Sequence, residues 1–188
     1  MKSAVPHGVV DVTDECKLGK PARKRDAVVD HIILHRFDGN AIPHWPRVVD
    51  AVGMAYCFAT HVDLRDTVGR MAYSIVVTPS GVVEQAVPLS KYTPHARRWN
   101  RRSIGVAVMG DFRNHPPTTE QEFALAWLVP ALACYYGAKV VRHDDLPGSS
   151  SQKGKVCPGR FLNVEGLAAW TRTGAQFVKS LEPWGFVA

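Results

Sequence analysis

Residues 140–161 read VVRHDDLPGSSSQKGKVCPGRF. A short β-branched run delivers His143, a loop of Pro, Gly and Ser follows, and the stretch closes on Lys155-Val156-Cys157-Pro158-Gly159. An imidazole leaving a strand and a thiol fixed ahead of Pro-Gly are good zinc donors on a stiff frame. The spacing is too long for a finger and no CxxC pair is present, which argues against a small structural zinc module. Two donors do not hold a catalytic metal, so a third has to come from elsewhere in the chain. The best supplier is the run at 28–35, VVDHIILH, read as a buried strand. Alternation there puts His31, Ile33 and His35 on one face and Ile32 and Leu34 on the other. His31 lies early in the run and reads as a packed histidine. His35 stands where the strand meets the turn-rich RFDGN. His35, His143 and Cys157 together make a His₂Cys set with one position open for water, the arrangement of a hydrolytic rather than a structural zinc.

At 188 residues the chain is read as one domain, long enough to bury a core without covalent staples. Its 46% hydrophobic and 21% charged residues are ordinary globular composition. No run approaches the roughly 18 apolar residues of a membrane span. The opening MKSAVPHGVVDVTDEC carries no contiguous apolar segment, so no secretory signal is read there and a cytoplasmic start is expected. Cys16, Cys57, Cys134 and Cys157 show no pairing rhythm and read as free thiols plus one ligand, with Cys57 and Cys134 as core fillers. The net charge of +6 is concentrated at 20–25 and 97–102 and suits an anionic partner: nucleic acid, phospholipid or a cell-wall polymer.

In chain order, residues 1–27 read as an extended basic N-terminal arm that either packs on the body or stays free, its charges those of a solvated terminus. Residues 45–60 have helical spacing, with Val48, Val49, Val52 and Tyr56 on one stripe; His44 and His61 flank it as surface or capping residues. Residues 71–77 form a strand, TPSG a tight turn, and 82–87 the hairpin mate. A loop from Pro94 carries four arginines around Trp99-Asn100. Residues 103–109, SIGVAVM, form another strand. Thr119-Glu120-Gln121-Glu122 has capping-box form and opens a helix to about Tyr136, with Pro130 expected to kink it and Gly137 to end it. A strand at 139–142 and a last helix over 164–181 complete the chain. The alternation of strands and helices, with one hairpin among them, gives an α/β single domain (residues 28–188) with a central mixed sheet and helices on both faces.

Four blocks stand in a telling order: the hydrophobic strand ending at His35; Ala72-Tyr73-Ser74-Ile75-Val76-Val77 before a Ser-Gly turn; Pro94-His95-Ala96 with Trp99-Asn100 and Ser103-Ile104-Gly105-Val106; and His143 with Lys155-Val156-Cys157-Pro158-Gly159. On them the chain resembles the zinc-dependent N-acetylmuramoyl-L-alanine amidases of the amidase-2 type, a family that includes phage endolysins and the peptidoglycan-recognition proteins. The resemblance covers roughly residues 28–165. It implies zinc on His35, His143 and Cys157, and Tyr73 directed at the attacking water. It also implies Lys155 facing the developing oxyanion, and His95, with Trp99 and Asn100, along the substrate cleft. Asp145 falls on an acidic position near the second ligand. Three departures stand out: Ser74 where a histidine is usual, Ala107 where some branches place a glutamate base, and a long loop between His143 and Cys157.

The activity so implied is hydrolysis of the amide between the lactyl group of N-acetylmuramic acid and L-alanine in peptidoglycan. The expected setting is a phage or prophage endolysin held in the cytoplasm until lysis. Two alternatives accompany it: a non-catalytic peptidoglycan-recognition module, and a cytoplasmic amidase that recycles soluble muropeptides. The arginine-rich loop is a candidate contact for anionic wall or outer-membrane polymers. Nucleic-acid binding is disfavoured, since no stacking motif, finger or recognition-helix pattern accompanies the charge.

Overall fold

The seven-residue strand β3 (His31–Phe37) is the centre of the architecture, and its alternation is the one read from the sequence. The computed structural model describes residues 8–39, 48–60, 69–148 and 156–173. Ile32 and Leu34 face a hydrocarbon layer, while Ile33, His35 and Phe37 point to the opposite side. Strand β7 (Ser103–Met109) runs parallel to β3 in the register His31↔Ser103, Ile33↔Gly105 and His35↔Ala107. On its other edge β3 pairs in parallel with β8 (Lys139–Arg142). Beyond β7 lie β4 (Ile75–Val77), parallel to it, and then the antiparallel β5 (Val83–Gln85). The first strand, β1 (Val9–Asp11), joins β5 in parallel and completes a six-stranded mixed sheet in the order β1-β5-β4-β7-β3-β8. A small second sheet pairs β2 (Arg23–Lys24) with β6 (Lys91–Tyr92).

Three α-helices flank the sheet among the described residues, α1 (Ala51–Thr60), α2 (Thr119–Tyr136) and α3 (Val164–Thr173). Leu125, Leu128, Val129 and Leu132 of α2 cover Ile32, Leu34, Ile75, Ile104, Val106 and Val108, all buried. The amphipathic α3 packs on α2 and β8. On the other face Ala51, Met54, Ala55 and Phe58 of α1 meet Val76, Ala107, Met109 and Phe37. The single-domain α/β fold with a flanked mixed sheet is therefore the one expected from the order of elements.

Several local expectations are corrected. Among the described residues the helix expected over 45–60 begins at Ala51, where Asp50 accepts from the Gly53 amide and Glu84 accepts from the Ala51 amide, satisfying the first orphan donors. That start fixes the helical phase on Ala51, Met54, Ala55 and Phe58; of the stripe read from the sequence, Val48 is buried and Val52 packs against the same cluster, while Val49 and Tyr56 are exposed. The capping box of α2 sits one residue earlier than expected: Thr118 accepts from the Gln121 amide and the Gln121 side chain accepts from the Thr118 amide. Gly137 ends α2 in the left-handed conformation, φ 61°, as its position predicted. The helix continues through Pro130.

The strand expected over 71–77 is regular only from Ile75. Residues 71–74 are nonetheless tied to the sheet, since the Ser74 amide donates to Gly105 O and Ser74 O accepts from the Ala86 amide. Part of the segment read as an N-terminal arm is built into the body, with Val9–Asp11 extending the sheet. Arg25 is the firmest anchor in that segment. Its guanidinium donates to Leu89 O (3.1 Å), Lys91 O (2.9 Å), Arg101 O (3.0 Å) and Ser103 O (2.8 Å), fastening the loop that carries His95 to Asn100. Of the remaining sequence expectations, His44, His61, Lys155 and the end of the last helix beyond residue 173 lie outside the described residues.

Candidate metal centre

Parallel strands open at their carboxyl ends, where backbone loops diverge and leave room for a ligand. β3, β7 and β8 are parallel neighbours, so His35 near the end of β3 and His143 just past β8 reach the same end of the sheet. The His143 amide donates to Leu34 O (3.3 Å), continuing the β3–β8 ladder by one residue and fixing where the imidazole emerges. The two rings lie 4.4 Å apart between centroids.

Cys157 arrives from a loop and is turned inward by polar contacts. Its amide donates to Asp144 Oδ2 (3.2 Å), and the Asp144 amide donates back to Cys157 O (3.1 Å). Arg36 Nε donates to Val156 O (3.1 Å) and Arg142 Nη2 to Gly159 O (2.9 Å). At Gly159, φ 112°, a Cβ would sit 2.5 Å from the Phe112 carbonyl, so only glycine lets the Pro-Gly turn pack this closely. The Cys157–Pro158 peptide is cis. Asp145, expected beside the second ligand, is exposed; the neighbouring Asp144 makes that contact instead, since its carboxylate and not that of Asp145 turns toward the cysteine loop.

One donor atom from each of His35, His143 and Cys157 lies within 4.8 Å of the others. Cys157 Sγ is 3.8 Å from His35 Nδ1, close to the edge of a tetrahedron built with ordinary Zn–N and Zn–S bonds, about 3.5 Å. His143 Nε2 is buried with no hydrogen-bond partner among the described residues. A buried imidazole nitrogen without a partner is costly unless something else satisfies it, and two neutral imidazoles with a thiol are a donor set that zinc takes. The residues present fit the ion.

The electrostatics suit lone-pair donation. Burial, then the proximity of His95 and His143, holds His35 well below the usual histidine range. Burial also lowers His95, helped by His143 and the Arg25 charge, and it lowers His143, with Asp144 opposing. Burial pushes the Cys157 thiol up to about 11, against the Arg36 amide and charge. A cation must therefore displace a proton from that sulfur. Tyr73 packs its ring 5.0 Å from His35 and 6.1 Å from Phe58, on the loop before β4. Burial and the adjacent Cys157 raise it well above the ordinary phenol, so its hydroxyl keeps its proton.

The residues expected along the cleft have defined partners. His95 is 7% exposed, with Nδ1 3.0 Å from His35 Nε2 and Nε2 3.1 Å from Ser103 Oγ. The Asn100 side chain accepts from the Ala96 amide (2.6 Å) and closes the loop on itself. Trp99 stacks edge-on against His31, carries Arg102 over its ring and donates from Nε1 to Pro147 O (3.3 Å), joining this loop to the one after His143. Of the four arginines, Arg101 pairs with Asp26 and Arg102 with Asp30. Arg97 and Arg98 stay exposed, with no acidic side chain beside them among the described residues. Ala107 is wholly buried beside His35, and Ser74 is wholly buried with its hydroxyl unpartnered among the described residues. Sequence reading missed Ser103, Asp144, Arg36 and Arg25; only Ser103 carried a local signal, at the start of the SIGV strand next to the expected loop.

Solved structures of similar fold include the endolysin N-acetylmuramoyl-L-alanine amidase LysCS from Clostridium intestinale URNW, with a TM-score of 0.65 and 20% identity over 89% of this chain and 97% of that one. The Ph2119 endolysin from the Thermus scotoductus MAT2119 bacteriophage Ph2119 gives 0.62 and 22%, over 87% and 98%. At such identities the likeness is one of fold. A peptidoglycan-recognition protein of Drosophila simulans is 28% identical over 102 residues, 54% of this chain and 54% of that protein, so the chain spans about half the length of this relative. The family model described as N-acetylmuramoyl-L-alanine amidase matches residues 24–160. Because that match runs from the segment before β3 through the turn that follows Cys157, the chain belongs to the N-acetylmuramoyl-L-alanine amidase family.

Proposed function

We propose that the protein is a zinc-dependent amidase that cleaves the bond between the lactyl carbonyl of N-acetylmuramic acid and the amino group of L-alanine in peptidoglycan, acting as a phage or prophage endolysin. The observation that carries this is the convergence of His35, His143 and Cys157 at the strand ends, their donor atoms within 4.8 Å of one another. What zinc supplies when bound is Lewis acidity and a water made nucleophilic near neutral pH. The chain's residues do the rest. His35 and His143 stay neutral through burial and offer lone pairs, and the Cys157 sulfur gives up its proton to become the third donor. The Tyr73 hydroxyl keeps its proton and orients water or the lactyl carbonyl as a hydrogen-bond donor. Lys155, whose part rests on the motif resemblance alone, is the cation assigned to the oxygen on which charge develops. Hydrolysis adds water across the C–N bond: the lactyl group leaves as a carboxylate and the alanine amine takes a proton. Arg97 and Arg98 are the exposed cations available to anionic wall or outer-membrane polymers.

Mass spectrometry of digested sacculi tests the reaction, and new free L-alanine amino termini are the expected product. Tyr73→Phe and Lys155→Ala are expected to keep zinc and lose rate; loss of metal in both would recast them as structural. The relationship to a peptidoglycan-recognition protein favours one second reading, a non-catalytic binding module. Peptidoglycan binding without new amino termini and without zinc supports it. Cleavage of soluble muropeptides with intact sacculi untouched supports a recycling amidase.

A further inference from the structure

The ring of His35 is held from behind by a chain of hydrogen bonds that ends on a backbone carbonyl. Ser103 Oγ lies 2.6 Å from Trp99 O and 3.1 Å from His95 Nε2, and His95 Nδ1 lies 3.0 Å from His35 Nε2. A carbonyl only accepts, so the Ser103 hydroxyl donates to Trp99 O. The Ser103 oxygen then accepts, and its donor is the Nε2–H of His95. A neutral imidazole protonated on Nε2 carries a lone pair on Nδ1, which accepts from His35 Nε2–H. His35 is left with its lone pair on Nδ1, the nitrogen 3.8 Å from Cys157 Sγ. The direction follows from the carbonyl and from His95 being neutral, as its burial favours, with no ion invoked.

Position in the fold makes the chain rigid. Ser103 and His35 stand on adjacent strands, and both are essentially buried. Arg25 donates to Ser103 O (2.8 Å) and fastens that end. His95 lies flat on Gly105: a Cβ there would fall 2.6 Å from the imidazole Cγ, so a side chain at 105 would push the ring out of line.

We propose that Ser103 and His95 are positioning residues that fix His35 in the Nε2–H tautomer and so present Nδ1 as the metal-binding atom, with Gly105 providing the space the relay needs. The proposal rests on the reading of His35 as a zinc ligand, yet its first test needs no metal. Long-range ¹H–¹⁵N spectra of the metal-free full-length chain are expected to show His35 as the Nε2–H tautomer only. Observation of Nδ1–H on His35 overturns the relay. In Ser103→Ala and Gly105→Ala that signature becomes a mixture of tautomers, and zinc affinity, measured by competition with a chromophoric chelator, weakens about 10- to 100-fold. Ser103→Thr, which keeps the hydroxyl, restores both. Unchanged tautomer and unchanged affinity in folded Ser103→Ala overturn the proposal. If these variants do not fold, the wild-type tautomer decides alone. Failure of the wild type to bind zinc refutes the metal reading and leaves the tautomer test standing.

Discussion

The two faces of the central sheet are built to different rules. Toward α2 and α3 the sheet presents Ile32, Leu34, Ile75, Ile104, Val106 and Val108 in one continuous hydrocarbon layer. The opposite face is interrupted: α1 covers Val76, Ala107 and Met109, the loop with Ala96 and Trp99 covers Ile33, and His35, His95 and Ser103 occupy the gap between. The continuous face supplies adaptable, non-directional burial. The interrupted face places directional polar groups among its apolar ones, and it is there that the candidate donors converge. Continuous hydrocarbon burial and the candidate metal donor His35 thus lie on opposite sides of the same strand, one residue apart.

The comparison breaks most sharply at the cysteine. Cys157→Ala is expected to bring zinc content and sacculus-clearing activity to background while metal-free unfolding changes little; metal analysis, turbidity clearing and denaturation in chelator measure the three. Full clearing activity in that variant refutes the metal reading. The opposite face predicts the converse. Leu128→Ala, at a fully buried position of α2, should cost about 2–5 kcal/mol in urea unfolding, while zinc bound per folded chain stays the same.

Acid sharpens the contrast. His35 and His95 have folded-state pKa values below the unfolded value of about 6.5, so the unfolded chain binds more protons. Their contribution is complete above pH 6.5 and is lost as pH falls below it, by about 1.4 kcal/mol per pH unit for each group. Metal-free protein is therefore expected to lose stability between pH 6.5 and 5, and His95→Gln to flatten that slope; equal slopes in the two proteins count against a buried neutral His95. The smallest effect concerns the loop that brings in the thiol. Asp144→Ala should weaken zinc binding by about tenfold by freeing the Cys157 amide, whereas Asp145→Ala, at an exposed position, should leave it unchanged.

What the chain declared by itself was local or periodic. Alternation with period two placed His35 and Ile33 opposite Leu34, TPSG announced the hairpin, and Gly137 ended its helix, because each depends on neighbours within a few residues. The ordered motif blocks brought His35, His143 and Cys157 under suspicion together. What only the tertiary structure decided was who faces whom. The buried phase of α1 was set by Glu84, 33 residues beyond the Ala51 amide it caps. Asp144 rather than Asp145 holds Cys157, Arg25 locks a loop more than 60 residues away, and His95 meets Ser103 and His35 rather than open space. Such choices follow from strand register and from the saturation of buried donors across distant segments, and no local pattern in the sequence encodes either.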